Sequence, residues 1–566
     1  MDQKRNERCR EMYRTLLPNM ADYVERYARE KPSSLAIIEH NTDEKISWKA
    51  FNRAVSAFAA KLIALGLQKG DIVATSLPLL KEHVYLIYAC YRVGVIIAPL
   101  DLRLKAKELQ ACMDTMKPKA YFFLGKTPLA DFRPIIAEVM ASSPYIRHWI
   151  QFQKEAELVM DGAVGIADFA RDIKKAYLLS LVTGSVKKAR RRLSKRDACL
   201  IIFTTGSTGS PKAALLCHEN ILVQNIGLAA AFDMTPEDRM LINLPPSHVG
   251  CVTEQLATTV FGGGVSVILH IFDPRKSLEA IAEHKVTMLG QIPALFNMEW
   301  RLPEYGSFDL SSLRFAIYGG QAVSREFLEK MSTMAPQIGT GLGLTETAGF
   351  CTYTDPNANV TVLEKGIGFD MPLCPISIRE PMKLDGTAGG EKAPGEVGEI
   401  CFSGPQIFLG YLNEPLKTNQ TVSRDHVCYT GDLGYHDDQG LHFAGRSKLV
   451  IKPKGYQVFP EDIERHIAEK LEGSVGAVAC VGVEHRIWSE AIMTFIERTE
   501  GSSVTVEDVI ASCKDISSYS RPSHVVLLDA GTLPLNRVAK TDYMELKRRA
   551  RAVIDDLRKE GKWDEA

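Results

Sequence analysis

This 566-residue sequence lacks an excess of charge, a long hydrophobic run and any close-spaced cysteine pair. Sixty-eight Lys and Arg stand against 69 Asp and Glu, a formal net charge of -1. That balance gives no support for nucleic acid as the main partner, because such binders carry a basic footprint. The longest apolar stretch, Val84 to Leu100, is broken by Arg92 and Gly94, so no segment reads as a membrane span. The N-terminus, "MDQKRNERCREMYRTLLPNM", is charged and has no apolar signal core. The twelve cysteines are scattered without a CxxC pair. A disulfide framework is therefore not expected, and reduced thiols in the cytoplasm are. No short-period repeat is evident.

What is present is an ordinary globular composition, 45% hydrophobic and 24% charged, long enough for two or more domains. From Ile46 to Leu100 helical and strand patterns alternate. "WKAFNRAVSAFAAKLIALG" has apolar residues at helical spacing with Gly66 as a C-cap, "KGDIVATSL" is a turn plus strand, and "VGVIIAPLD" is a strand stopped by Pro99. The pattern recurs at Val265 to Leu269, Thr287 to Gln291 and Arg314 to Tyr318, which predicts an α/β fold. Residues Gly162 to Arg196 end in the basic run "KKARRRLSKR", expected to be a solvated helix or linker rather than a nucleic-acid or lipid site. From Gly395 short strands with Gly or Asp turns take over. After Pro460 a helix and three strands, "VGAVACVGV", "EAIMTFIE" and "HVVLLDA", predict a compact α+β unit bounded near Arg446 to Lys448.

One segment carries chemistry on its face: "LIIFTTGSTGSPKAALLCHENI", Leu200 to Ile221. Leu200 to Phe203 reads as a short buried strand. Beyond it, Thr204, Thr205, Ser207, Thr208 and Ser210 surround Gly206 and Gly209, and Lys212 follows. Glycines bring backbone N–H groups close to a ligand, hydroxyls donate further hydrogen bonds, and the lysine adds a point charge. The set suits phosphate oxygens. It is not a Walker A loop, because no Gly-Lys-Ser/Thr closes it. Alone, a Ser/Thr/Gly-rich surface turn would account for the same residues equally well.

Six further motifs follow in order. They are "LPPSHVG" (Leu244 to Gly250), "YGGQAV" (Tyr318 to Val323), "GLGLTET" (Gly341 to Thr347), "YTGDLGY" (Tyr429 to Tyr435), "GRSKLVIKPKGYQVFPEDIE" (Gly445 to Glu464) and "LPLNRVAK" (Leu533 to Lys540). Together they closely resemble the adenylate-forming enzymes, which include acyl-CoA synthetases, aryl-CoA ligases, adenylation domains and firefly luciferase. The resemblance runs from about Trp48 to Lys540. It implies a large multi-sheet α/β N-terminal domain, residues 1–446, and a small mobile α+β C-terminal domain, residues 447–566, hinged at Lys448.

The resemblance also implies a two-step reaction. A carboxylate attacks the α-phosphate of ATP, giving acyl-AMP and pyrophosphate; a thiol, usually that of coenzyme A, then expels AMP. Roles follow by motif position. Thr204, Thr205, Gly206, Ser207, Thr208, Gly209 and Lys212 are expected to hold the β- and γ-phosphates. Glu346 is the expected Mg2+ ligand, a hard oxygen for a hard cation, and Thr345 donates to the α-phosphate. Asp432 takes both ribose hydroxyls, and Arg446 reaches ribose or phosphate. Gly319, Gly320 and Gln321, with Gly341, Leu342 and Gly343, line the adenine and acyl side, and His248 closes the acyl site. Lys540 bridges carboxylate and α-phosphate during adenylation, whereas Lys452 and Gly455 belong to the face used in thioester formation. Taken singly, Asp432 could be a turn residue and His248 a hydrogen-bonded core histidine.

The chain departs from the family's pattern at Leu342, where an adenine-stacking aromatic is usual, and at Ala213 and Ala539, where glycines are usual. "GTGLGLTET" has no tryptophan pair of the kind that shortens the pocket of dedicated acetate enzymes, so a medium-chain, alicyclic or aromatic monoacid is expected. Loading of a carrier protein is the alternative, and a non-catalytic homologue a lesser one. The oligomeric state stays open, a homodimer included.

Overall fold

The computed structural model describes residues 3–153, 155–204, 211–320, 322–446, 449–451, 453, 458–487, 489–536 and 540–563. The chain divides into two compact units, 1–376 with 385–387 and 402–428, and 377–384 with 388–401 and 429–566.

The first unit is α/β, as the alternating pattern predicts. Its seven-stranded sheet has the order Gln337–Gly339, Phe315–Tyr318, Met288–Gln291, Arg239–Ile242, Val265–Ile268, Leu35–Glu39, Glu44–Ser47, antiparallel only at the last pair. Parallel register brings the C-terminal ends of Arg239–Ile242, Met288–Gln291 and Phe315–Tyr318 to one edge. Motifs "LPPSHVG" and "YGGQAV" leave from that edge, where ligands bind in open α/β sheets.

The second sheet of this unit has eight strands, in the order Gly410–Tyr411, Lys212–Cys217, Ala198–Thr204, Ile96–Pro99, Ile72–Ser76, Ala120–Leu124, His148–Phe152, Val164–Gly165. The first two run antiparallel to their neighbours and the rest are parallel.

Local physics explains the helices. Trp48–Ala64 starts where the Ser47 hydroxyl accepts the Ala50 N–H, and it buries Trp48, Phe51, Val55 and Leu62. It ends just before Gly66, which takes the left-handed conformation expected of a helix terminator. The broken apolar stretch from Val84 resolves into the core helix Lys81–Val93 and the strand Ile96–Pro99. Helix His218–Ala231 is buried along its whole length, and the Tyr91 and His218 rings meet edge to face at 5.6 Å.

The basic run is less solvated than expected. Arg190 Nε donates to Asp22 at 2.5 Å and its guanidinium also reaches Glu25 at 2.8 Å, while Lys195 and Arg196 pair with Glu219 at 2.6 and 3.3 Å. Asp22 and Glu219 are buried, so these cations offset carboxylates taken out of water. Arg190→Ser is therefore expected to lower stability by about 1.5–3 kcal/mol. Arg191→Ser and Arg192→Ser, at exposed positions, are expected to cost little. Urea unfolding of the three single variants checks this.

In the second unit a four-stranded sheet has the order Ile376–Arg379, Gly398–Phe402, Cys428–Asp437, Gly440–Arg446. A three-stranded sheet, Val475–His485, Ser489–Arg498 and His524–Leu528, follows. Alternation along the first of these strands sets its two faces. Cys480 packs with Ile463 and Ile467 of helix Pro460–Lys470, and Ala479, Val481 and Val483 with Leu546, Ala550 and Ile554 of helix Tyr543–Lys559. Among the described residues no helix is long and apolar enough to cross a membrane.

Candidate active site

The Ser/Thr/Gly segment lies in the chain between two paired strands. Strands Ala198–Thr204 and Lys212–Cys217 pair antiparallel, with Thr204 opposite Lys212 and Phe203 opposite Ala213. Thr205, Gly206, Ser207, Thr208 and Gly209 lie outside the described residues. Ala213 is fully buried against this ladder, so the methyl group in place of the usual glycine hydrogen is accommodated by packing.

Lys212 and Glu346 are joined by a residue that the motifs do not contain. Tyr411 sits on the edge strand beside Lys212–Cys217, in register with Ala214. Its hydroxyl donates to Glu346 Oε1 at 2.5 Å, and Lys212 Nζ lies over its ring, 4.9 Å from the centroid. Burial, and then the Glu346 charge, hold the Tyr411 phenol well above its ordinary pKa, so it stays a hydrogen-bond donor at neutral pH. One aromatic ring thus spaces a cation from a carboxylate. Tyr411→Phe keeps the ring and removes the donor. It is expected to slow pyrophosphate release about tenfold or more with little change in melting temperature; an unchanged rate would make the bond incidental.

The turn bearing Thr345 and Glu346 is pinned from several sides. Strands Gly343–Leu344 and Gly349–Phe350 pair antiparallel around the 3-10 turn Thr345–Thr347. Gln406 Nε2 donates to the carbonyls of Thr347 and Phe350 at 2.8 and 2.7 Å, and the Phe408 N–H donates to the Glu346 carbonyl. Glu254 Oε1 accepts the Phe350 N–H at 2.8 Å. Two glycines are required here. A Cβ on Gly341 would collide with the Thr352 carbonyl, and Gly349 has φ +122° with Glu254 Oε1 only 2.6 Å from where its Cβ would stand. Leu342 is half-buried, with its N–H on Thr352 Oγ1 and its carbonyl accepting the Cys351 N–H. The nearby Phe350 ring is buried against Gly319, the residue that follows strand Phe315–Tyr318, and Gly320 after it has φ +96°. The "YGG" and "GLGLTET" motifs are therefore brought together. Gln321 lies outside the described residues.

His248 is half-buried, and its Nδ1 accepts the Gly250 N–H at 3.0 Å, which leaves the ring proton on Nε2 in the neutral form. A π-helix, Gly250–Ala257, follows directly; such segments recur at functional sites. A buried polar chain anchors it. Gln255 Nε2 donates to Asn243 Oδ1 and the Gly290 carbonyl, Asn243 Nδ2 to Gln291 Oε1, and Gln291 Nε2 to Glu299. Ser277 completes the Glu299 carboxyl at 2.6 Å.

Burial pushes the Glu299 carboxyl up to about 8 from an ordinary 4.5. Below the lower value folded and unfolded chains both hold this proton. Between the two values only the folded chain does, so its contribution to stability is lost as pH rises through that window. Glu299→Gln is expected to flatten the fall in melting temperature between about pH 5 and pH 8. Calorimetry at several pH values reads it, and parallel curves for variant and wild type would contradict it.

In the second unit Asp432 and Arg446 face each other. They are register partners across strands Cys428–Asp437 and Gly440–Arg446, and Arg446 Nε lies 3.3 Å from Asp432 Oδ1. Asp432 is 5% exposed, within a strand and not in a turn. The Gly431 N–H is held by Glu399 Oε1, and the Asp432 N–H by Thr430 Oγ1. The Lys540 N–H donates to Asn536 Oδ1, and its carbonyl accepts the Asn536 N–H. Lys448, Lys452 and Gly455 lie outside the described residues.

Tyr411, Gln406 and Glu254 were not found from the sequence. "FLGYLN" offers only a Gly-Tyr step, and its value depends on strand pairing with Ala214.

A lysine and a carboxylate spaced by one tyrosine, next in sequence to a hydroxyl- and glycine-rich segment, in a unit built on mostly parallel sheets, are the features of an α/β enzyme. The family model described as AMP-binding enzyme matches residues 24–412, and the chain belongs to that family, the adenylate-forming enzymes. It is similar to the indoleacetate–CoA ligase of Aromatoleum aromaticum, 26% identical over 93% of this chain and 98% of that protein. It is also similar to a feruloyl-CoA synthase of an Amycolatopsis species, 27% identical over 93% and 97%. The crystal structure of ATP-bound MatB from Rhodopseudomonas palustris shares the fold, with a TM-score of 0.77 at 24% identity over 94% of this chain and 99% of that one.

Proposed function

We propose that the protein is an ATP-dependent acid–CoA ligase acting on an apolar monocarboxylic acid of aromatic, alicyclic or medium-chain type. The observation that carries this reading is the Lys212–Tyr411–Glu346 array, whose lysine follows the Ser/Thr/Gly segment in sequence. In support, both named relatives are enzymes that join coenzyme A to an aromatic acid.

Adenylation brings a carboxylate to a polyphosphate, so the protein's task is charge neutralisation and alignment. The carboxylate oxygen bonds to the α-phosphorus as the bond to the β-phosphate oxygen breaks, and pyrophosphate leaves. Lys212 and the hydroxyls of the Ser/Thr/Gly segment offset charge on that leaving group, Thr345 donates to the α-phosphate, and Lys540 lies between the two reacting anions. Asp432 and Arg446 fix the ribose. Glu346 suits Mg2+, since it presents hard oxygens and among the described residues only Oε1 has a hydrogen-bond partner. When bound, the ion offsets phosphate charge. In the second step the coenzyme A thiol loses its proton, its sulfur bonds to the acyl carbon, and AMP departs. Lys452 and Gly455 supply the face for this step, with residues 447–566 turning about Lys448 between steps.

The test is pyrophosphate release across a panel of acids, followed by acceptor assays with free coenzyme A and with a carrier protein. Release with aromatic or medium-chain acids and transfer to free coenzyme A is expected. Transfer only to the carrier would replace the acceptor assignment, and no release with any acid would defeat the reading.

A further inference from the structure

Helix Ile173–Thr183 is turned inside out. Its inward positions, Ile173, Ala176, Tyr177 and Ser180, recur at helical spacing, and Ser180 is its one fully buried residue. On the outward side Leu178, Leu179, Leu181 and Val182 are 62%, 60%, 62% and 87% exposed. Single exposed apolar residues are ordinary, but four on two turns of one helix form a patch that calls for a partner.

The charge around this patch names the partner. From Ile173 to Arg196 the sequence has nine Lys or Arg and no Asp or Glu, in a chain otherwise balanced. Arg190, Lys195 and Arg196 are engaged with Asp22, Glu25 and Glu219. Lys174, Lys175, Lys187, Lys188, Arg191 and Arg192 are exposed, and none pairs with a carboxylate among the described residues. The cations therefore flank the leucines along the chain, before them on the same helix and after them on helix Ser185–Arg190 and the two residues that follow it. Both helices pack on Trp48–Ala64 of the first unit.

We propose that this surface docks on an anionic lipid bilayer. The helix lies in the plane of the interface, its leucines at the acyl boundary, while the lysine and arginine stems run up to headgroup phosphates. No span is involved, because the helix has eleven residues. Nucleic acid would use the cations and leave the leucines in water. A symmetric pairing of two copies through this face would set like charges against each other. The proposal is independent of which acid the enzyme activates.

The experiment is co-sedimentation of the full chain with vesicles of phosphatidylcholine alone and with phosphatidylglycerol added, at low and high salt. The variants are Leu178→Ser/Leu179→Ser/Val182→Ser and Lys187→Glu/Lys188→Glu/Arg191→Glu/Arg192→Glu. Binding to the anionic vesicles that weakens in high salt, and falls at least about tenfold in each variant, is expected. Melting temperature and pyrophosphate release with a water-soluble acid should stay at wild-type values, since none of these residues belongs to the catalytic machinery. Three results would overturn the proposal: equal binding to both vesicle types; loss of binding in the charge variant alone, which marks a general polyanion site; or no vesicle binding together with a concentration-dependent dimer that the serine variant abolishes.

Discussion

Lys540→Ala is expected to cut pyrophosphate release by about 10²–10³-fold or more, the scale seen when one preorganised donor is deleted. The loss should be confined to the first half-reaction. A charge set between a carboxylate and an α-phosphate has nothing to neutralise once the acyl-AMP bond exists. Supplied acyl-AMP should therefore still react with coenzyme A in this variant at close to the wild-type rate. Gly455→Leu should show the opposite pattern, because a branched side chain would obstruct the narrow path of a thiol-bearing arm while pyrophosphate release continues. The backbone N–H and carbonyl of Lys540 are bonded to Asn536 Oδ1 and the Asn536 N–H, so alanine removes the ammonium without removing these bonds. Measuring the two half-reactions separately decides the matter. Equal losses in both, with melting temperatures unchanged, would rule out the alternation of two faces.

Asp432→Ala should weaken ATP binding by about 10²–10⁴-fold, from the loss of two hydrogen bonds to a charged acceptor at about 1.5–3 kcal/mol each. The carboxylate is buried, while its partner Arg446 is more than half exposed at 56% and can be solvated when the pair is broken. The fold should therefore survive. Asp432→Asn keeps the volume and one acceptor, and should fall between alanine and wild type. Titration calorimetry with ATP reads both variants, and an unaltered affinity in the alanine variant would remove Asp432 from the ribose site.

The motifs that mark the family were legible because each is a short run of neighbouring residues. Glu346 stands in a turn of three residues, Asp432 within the strand Cys428–Asp437, Lys212 just after a Gly/Thr-rich segment, and each motif carries its own signature. The alternating layers were legible for a similar reason, since the period of apolar residues is set within a single element. Tyr411 had no such signature. It lies 65 residues from Glu346 and nearly two hundred from Lys212, and one edge-strand pairing gives it its place. The basic run was misjudged for the converse reason. Its composition shows seven cations but not the buried Asp22 and Glu219 that claim three of them.

The sequence by itself therefore determined the class of fold, the family and the order of its motifs, and the absence of a charge excess or apolar span. Composition, period and short motifs are properties of neighbouring residues, and a linear chain displays them. The tertiary structure alone decided that a tyrosine joins cation to carboxylate, that a buried chain from Glu299 to Gln255 carries the π-helix, and that one helix turns its leucines to solvent. Each of these depends on which distant elements pack together, and contact between distant elements is written only in the folded chain.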